Sequence, residues 1–349
     1  MKRTNRLFTG VVAVLVAGST LAACGSSSGS ASGDRAGTPT ITLYSGQHEQ
    51  TTAELVKAFE AESGIHVKVR SDDEAVLANQ IETEGSHSPA DVFYTENTPP
   101  LEFLQEHDLL APLTASTLAA VDSKYNSTQG RWVGVSARVN VMVYNTDKLQ
   151  PSQLPKSVMD LASPAWKGKL GIAPGETDFQ PIVTSIMKEK GKSAALAWLQ
   201  AVKSNAGSHS YPDNESLTDM VNRGQVEIGL INHYYWYRQR DEVGPKSTHS
   251  AIAFFAPHDV GYVLDVSGAA VLKSSNDQAA AQKLVAFLVG HNGEEVLAHS
   301  ESYEYPLGSG VVTAKPLKPF GRLQPIALSL SDLGDGSASI ALLQQVQLL

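Results

Sequence analysis

Two phenols stand side by side at Tyr234 and Tyr235, in the run Ile231-Asn232-His233-Tyr234-Tyr235-Trp236-Tyr237 that follows an apolar, strand-like segment. Two other stretches also sit where a strand pattern ends: Ser45-Gly46-Gln47-His48-Glu49 and Tyr94-Thr95-Glu96-Asn97. Together they offer phenol, imidazole and carboxylate groups that could converge on one target. Adjacent residues on a regular helix point about 100° apart, so a shared target requires the two phenols to lie at an irregular strand-to-helix junction. Asn232 gives a helix reason to start there, since Asn is a favoured N-cap. Each residue also has a plainer reading: the tyrosines as amphipathic packing groups, His48 as a surface or satisfied polar group, and Glu96 as a helix cap.

The elements that must position these groups alternate in period. Ile41 to Tyr44 reads as a strand and Thr51 to Glu62 as a helix, with Thr51-Thr52-Ala53-Glu54 matching a capping box. His66 to Arg70 and Asp91 to Tyr94 follow as strands, with helices across Glu74 to Glu84 and within Leu101 to His107. This repeated βαβ order predicts a parallel sheet. Trp132 to Asn145 is a strand-like run long enough to cross between two domains, and Tyr262 to Leu272 is long enough to return.

Between the crossings lies a second α/β series. Strands are expected at Lys169 to Ala173, Val226 to Ile231 and Ile252 to Phe255, and helices across Pro181 to Lys190, Ser193 to Lys203 and Glu215 to Asn222. Helices across Asp277 to Val289 and Glu294 to Ser300 follow. The expected fold is α/β and two-lobed, with two hinge strands and a ligand cleft between the lobes.

The first residues of the 349 place the chain outside the cytoplasm: Lys2, Arg3 and Arg6 precede an apolar stretch from Leu7 to Leu21, the pattern of a signal segment. It ends in Leu21-Ala22-Ala23-Cys24, which resembles the lipobox of bacterial lipoproteins, with Cys24, the sole cysteine, as the acylated residue. The Gly- and Ser-rich run after it reads as a flexible tether. The expected division is 1–23 signal peptide, 24–38 lipidated Cys and tether, 39–137 plus 265–315 lobe 1, and 138–264 plus 316–349 lobe 2. No later stretch reaches the roughly 18 apolar residues needed to span a bilayer. Removal of three positive charges with the signal takes the formal net charge from -9 to -12. That balance argues against nucleic acid as a partner.

The chain resembles the ferric-iron-binding proteins, periplasmic or lipid-anchored, of bacterial ABC importers, which implies a transferrin-like two-lobed fold of the type II periplasmic-binding-protein kind. The resemblance rests on Tyr44-Ser45-Gly46-Gln47-His48, on Pro89-Ala90-Asp91-Val92-Phe93-Tyr94-Thr95-Glu96, and on Asn232 with Tyr234-Tyr235-Trp236. By matching position it implies His48, Glu96, Tyr234 and Tyr235 as metal ligands, with Glu49 competing for the place of His48. Two phenolates and one carboxylate would balance the charge of Fe3+, and phenols of pKa about 10 give up their protons only to a strong cation. Partners implied are ferric iron as cargo, the ABC permease subunits, and the membrane through the lipid anchor alone, with the protein a monomer.

Four protein ligands leave two positions on an octahedral ion, filled in the family by a small anion, carbonate or phosphate, and water. The matching loop here is Ala173-Pro174-Gly175-Glu176-Thr177-Asp178-Phe179. Thr177, Asn214 and Asn232 are the expected anion donors, with Arg138 holding carbonate, closing the hinge or making an ion pair. Glu176 and Asp178 would repel phosphate, and one of them could take a metal position instead. A related branch has a third tyrosine in this loop; Phe179 stands there, which puts the chain in the two-tyrosine branch. The same two-lobed fold could carry an oxyanion, a polyamine or a phosphorylated molecule. The usual catalytic signatures, such as Gly-x-Ser-x-Gly and His-Glu-x-x-His, are absent, so an enzyme is not expected.

Overall fold

The computed structural model describes residues 39–308 and 310–349. The signal segment, Cys24 and the tether lie outside the described residues. The chain begins β1 (Thr40–Ser45), α1 (Glu49–Ser63), β2 (His66–Ser71), α2 (Glu74–Glu84), β3 (Val92–Thr95), α3 (Pro99–Glu106), α4 (Ala115–Ala119) and β4 (Trp132–Asn145). It continues through β5 (Leu170–Gly171), α5 (Gln180–Lys190), α6 (Lys192–Ala206), α7 (Asn214–Asn222), β6 (Ile228–Asn232), α8 (His233–Val243) and β7 (Ser250–Ala253). It ends with β8 (Leu264–Val271), α9 (Gln278–Leu288), α10 (His291–His299), β9 (Tyr305–Pro306), α11 (Leu330–Leu333) and α12 (Ser337–Gln345).

The strands lie in the order β2-β1-β3-β8-β4-β6-β5, with β7 and β9 also paired to β4. β1 is parallel to both β2 and β3, as the βαβ order predicts. β8 and β4 are antiparallel to each other, with a register shift between Gly134 and Ser136. β4 is buried along its whole length, so both of its faces are covered, and its polar members Ser136, Arg138 and Asn140 are buried with the rest.

Two clusters of buried apolar side chains flank this pair of strands. One gathers residues from Ile41 to Ala137 and from Val263 to Leu307, with Leu330 and Leu333. The other gathers residues from Val139 to Tyr262, with Tyr303, Leu342, Leu343 and Val346. β4 therefore passes from one core to the other at Arg138, and the chain returns at the entry to β8. The architecture is the two-lobed α/β fold with two hinge strands. Leu317, Leu323 and Ile326 of the tail pack against both clusters.

Two local expectations fail for tertiary reasons. The capping box at Thr51 to Glu54 does not form: α1 starts at Glu49 with His48 as N-cap, and Thr51 and Thr52 are buried in its first turn. The Thr52 hydroxyl instead meets the Ser45 hydroxyl at 2.8 Å, fastening the helix to the end of β1. The strand expected over Lys169 to Ala173 shortens to Leu170–Gly171, followed by a single bridge from Ile172 to Ser210. Leu217 lies so close to Gly171 that an added Cβ would fall 2.5 Å from its side chain.

Candidate metal centre

Side chains from three stretches distant in sequence, His48, Glu96 and the Tyr234–Tyr235 pair, meet just beyond the ends of β1, β3 and β6. His48 Nε2 lies 2.9 Å from Glu96 Oε1, with both side chains largely buried. The imidazole ring stands edge-on to Tyr234 at 5.2 Å and to Tyr235 at 6.2 Å between centroids. The two phenol rings are 4.2 Å apart, tilted by 34°. The cleft has a volume of about 640 Å³, and Glu49, Asp72, Glu176 and Glu215 also line it.

The tyrosines do not occupy an irregular junction, as expected, but the first turn of a regular helix. Asn232 is the N-cap of α8, and Tyr234 and Tyr235 are its second and third residues. Side chains on a helix lean toward its N-terminus, so long phenols from the first turn both project over the strand end. Asn232 starts the helix without a side-chain cap bond; its Oδ1 accepts from Asn140 Nδ2 at 2.9 Å. His233, between the cap and the phenols, turns away from the cleft. Its Nδ1 accepts from the Val139 amide at 3.3 Å, and its Nε2 donates to the Tyr303 carbonyl at 2.8 Å. Burial depresses this imidazole to a pKa of about 3, so it stays neutral.

Glu96 is held by a residue that sequence reasoning missed. Glu74, at the start of α2, is buried; its Oε2 accepts from the Glu96 and Asn97 amides at 2.8 and 2.9 Å, and its Oε1 from Asn97 Nδ2 at 2.8 Å. Burial lifts this carboxyl to a pKa of about 8. Thus Glu96 does not cap α3, whose N-cap is Thr98. Gly46 makes the Glu74 clamp possible, since a Cβ there would fall 2.4 Å from Glu74 Cβ and 2.7 Å from its Cα. Gly46→Ala is expected to lower stability by about 1–3 kcal/mol and to weaken cation binding together with it; urea unfolding and ligand titration of the same preparation measure both.

Two of the residues expected to hold an external anion, Arg138 and Asn214, flank a carboxylate of the chain itself, whereas the Asn232 side chain bonds to Asn140. Asp178, buried in the loop before α5, lies 3.4 Å from Arg138 Nε and accepts from Asn214 Nδ2 at 3.3 Å. The Tyr234 hydroxyl donates to it at 3.3 Å. Burial raises the Asp178 carboxyl above its usual range even though the Arg138 guanidinium opposes the shift. Thr177 faces elsewhere, accepting from Asn97 Nδ2 at 2.9 Å. Arg138 is fully buried at the crossing point of β4 and pairs in register with Asp265 of β8. Glu176 lines the cleft, its pKa raised to about 8 by burial and by neighbouring carboxylates. Glu49 sits exposed in the first turn of α1.

Protonation follows from these surroundings. Burial alone would lower the His48 pKa, but the Glu96 carboxylate outweighs it and raises it. Burial pushes Glu96 up, but His48, Arg138 and Arg238 together outweigh it and shift the carboxyl down. Burial, then Asp178 and Glu96, push both phenols far above their ordinary value. Only a strong cation can take their protons. Among the described residues, no three His, Cys, Asp or Glu side chains are grouped to hold a metal ion.

Residues 87–320 match the family of bacterial extracellular solute-binding proteins. The chain belongs to that family. The Fe(3+)-binding periplasmic protein of Serratia marcescens is 40% identical over 279 residues, 80% of this chain and 82% of its own length. The major ferric iron-binding protein of Neisseria meningitidis is 38% identical over 314 residues, 87% of this chain and 92% of its own. Iron-bound HitA from Pseudomonas aeruginosa has a solved structure that matches with a TM-score of 0.83 at 40% identity, covering 88% of this chain and 99% of that one.

Proposed function

We propose that this chain is the extracytoplasmic substrate-binding component of an ABC importer, binding ferric iron between its lobes and passing it to the permease subunits. The observation that carries the reading is the meeting of two neighbouring phenols with His48 and Glu96 in one cleft. Tyr234, Tyr235, Glu96 and His48 are the ligands, and the three anionic oxygens balance a trivalent ion. The lobes comprise 39–137 plus 265–315 and 138–264 plus 316–349, hinged on β4 and β8, with Leu330 and Leu333 of the tail reaching across to the first core. Cys24 carries the lipid that anchors the protein, and the chain acts as a monomer that binds its cargo without transforming it.

The anion question takes a particular form in this chain. Arg138 and Asn214 already surround Asp178, whose carboxylate also touches the Tyr234 hydroxyl. We propose that Asp178 takes much of the part that carbonate or phosphate plays in relatives, either on the metal or beside the Tyr234 oxygen. Iron loading should then proceed in buffer stripped of both anions.

Titration of the apo protein with a ferric chelate tests the reading, because phenolate-to-iron charge transfer gives a visible band. A protein that stays colourless and metal-free contradicts it. The sign of the pH dependence also follows. Both phenols hold their protons in the apo state, so binding releases two, and apparent affinity falls about 100-fold per unit of falling pH. Once His48 is also protonated, below its raised pKa, a third proton must leave and the slope steepens. Affinity measured by chelator competition across pH checks the slope.

A further inference from the structure

We propose that Asn97 and Thr177 form a latch that holds the two lobes shut, setting the rate at which the cargo leaves without touching it. This rests on the ferric-iron reading of the cleft. Asn97 follows the ligand Glu96 at the end of β3, among residues of the first core; Thr177 precedes Asp178 in the loop before α5, among residues of the second. Asn97 is 2% exposed. Its Nδ2 donates to Thr177 Oγ1 at 2.9 Å and to Glu74 Oε1 at 2.8 Å, which uses both hydrogens of the amide.

The orientation of the amide is fixed from behind. Glu74 grips the Asn97 side chain with one carboxylate oxygen and the Glu96 and Asn97 backbone amides with the other. Whatever places the Glu96 carboxylate therefore also aims the Asn97 N–H at Thr177. The hydrogen bond stands in the wall of a cavity of about 200 Å³, lined by Pro99 and Phe103 on one side and Gln180 and Ile340 on the other. It bridges a gap rather than a tightly packed seam. A bond made only when the lobes are together favours the closed population, and nothing else about the donor set changes when it is lost.

The test compares wild type with Thr177→Val, which removes the accepting oxygen at nearly constant volume and leaves Asn97 bound to Glu74. The loaded wild type must show the phenolate–iron band; its absence overturns both the site and the latch. Given the band, Thr177→Val is expected to keep its position and intensity while releasing iron to an excess of competing chelator about fivefold faster, the size of one lost hydrogen bond. Thr177→Ser, which retains the hydroxyl, should release at the wild-type rate. The effects of Asn97→Ala and Thr177→Val on release should be less than additive in the double variant, since both remove the same hydrogen bond. Unchanged release from Thr177→Val sinks the latch and leaves the site standing. A displaced band overturns the latch too, because Thr177 would then act on the iron or its anion directly. Should Thr177→Val fold poorly by circular dichroism, Thr177→Ala gives the same comparison.

Discussion

Tyr235→Phe is expected to lose most of the visible phenolate-to-iron band and to bind ferric iron more than ~100-fold more weakly, a loss greater than that usual for residues behind the ligands. The fold should not suffer. Tyr235 is 4% exposed and packs by its ring against Tyr234 and His48, and Phe retains that ring. Removing a phenol whose burial disfavours ionisation should leave the urea midpoint of the apo protein nearly unchanged. Function and stability therefore separate at this position. Equal losses in both would show that the oxygen serves packing rather than ligation, and an unchanged spectrum would remove Tyr235 from the ligand set.

Arg138→Met should have the largest effect on stability. The guanidinium is completely buried, and Asp178, Glu304, Tyr234 and Glu96 hold it firmly cationic against the cost of burial. Removing one partner of a buried ion pair costs about 3–5 kcal/mol, because the other charge is left without compensation. That is a large share of the ~5–15 kcal/mol that keeps a domain folded. The loss should also depend on pH. Burial raises Asp178, Glu304 and Asp265, the last to about 8, so their folded forms bind protons more tightly than the unfolded chain does. Stability from such groups is present at low pH and lost as pH rises through the raised values. The variant should thus be closer to wild type near pH 5 than near pH 8, and urea midpoints at both pH values measure it.

That His48, Glu96, Tyr234 and Tyr235 come together was legible because each follows closely on the end of a strand, and strand ends in an α/β fold share one rim. Side-chain identity and the period of the flanking elements sufficed there. The Glu74 clamp was not legible, since an acidic residue opening a helix ordinarily reads as a solvated first-turn charge. Its burial depends on contact with Gly46, 28 positions earlier, and no local pattern records such a contact. Asp178 was read as a threat to an anion, whereas the fold sets Arg138 and Asn214 against it. The hinge crossing at Arg138 was legible from strand length alone, but its partner was not, because 40 residues separate the two. Likewise Thr51 to Glu54 has the sequence of a cap, yet the helix start is set by His48 at the end of β1.

The way the chain threads its two cores bears on the order in which it can assemble. Most of the second core comes from one uninterrupted stretch, Val139 to Tyr262. The first core needs Ile41 to Ala137 and then, after that whole stretch, Val263 to Leu307. β3 and β8, which pair in register from Val92 with Val271 to Thr95 with Gly268, are thus joined across a very long loop. Such distant pairings are slow to form. During synthesis the amino-terminal half stays without its central partner strand until the carboxyl-terminal third has emerged. That delay leaves the apolar faces of β1 and β3 without their final cover for longer than those of the second core, so the second core can close first.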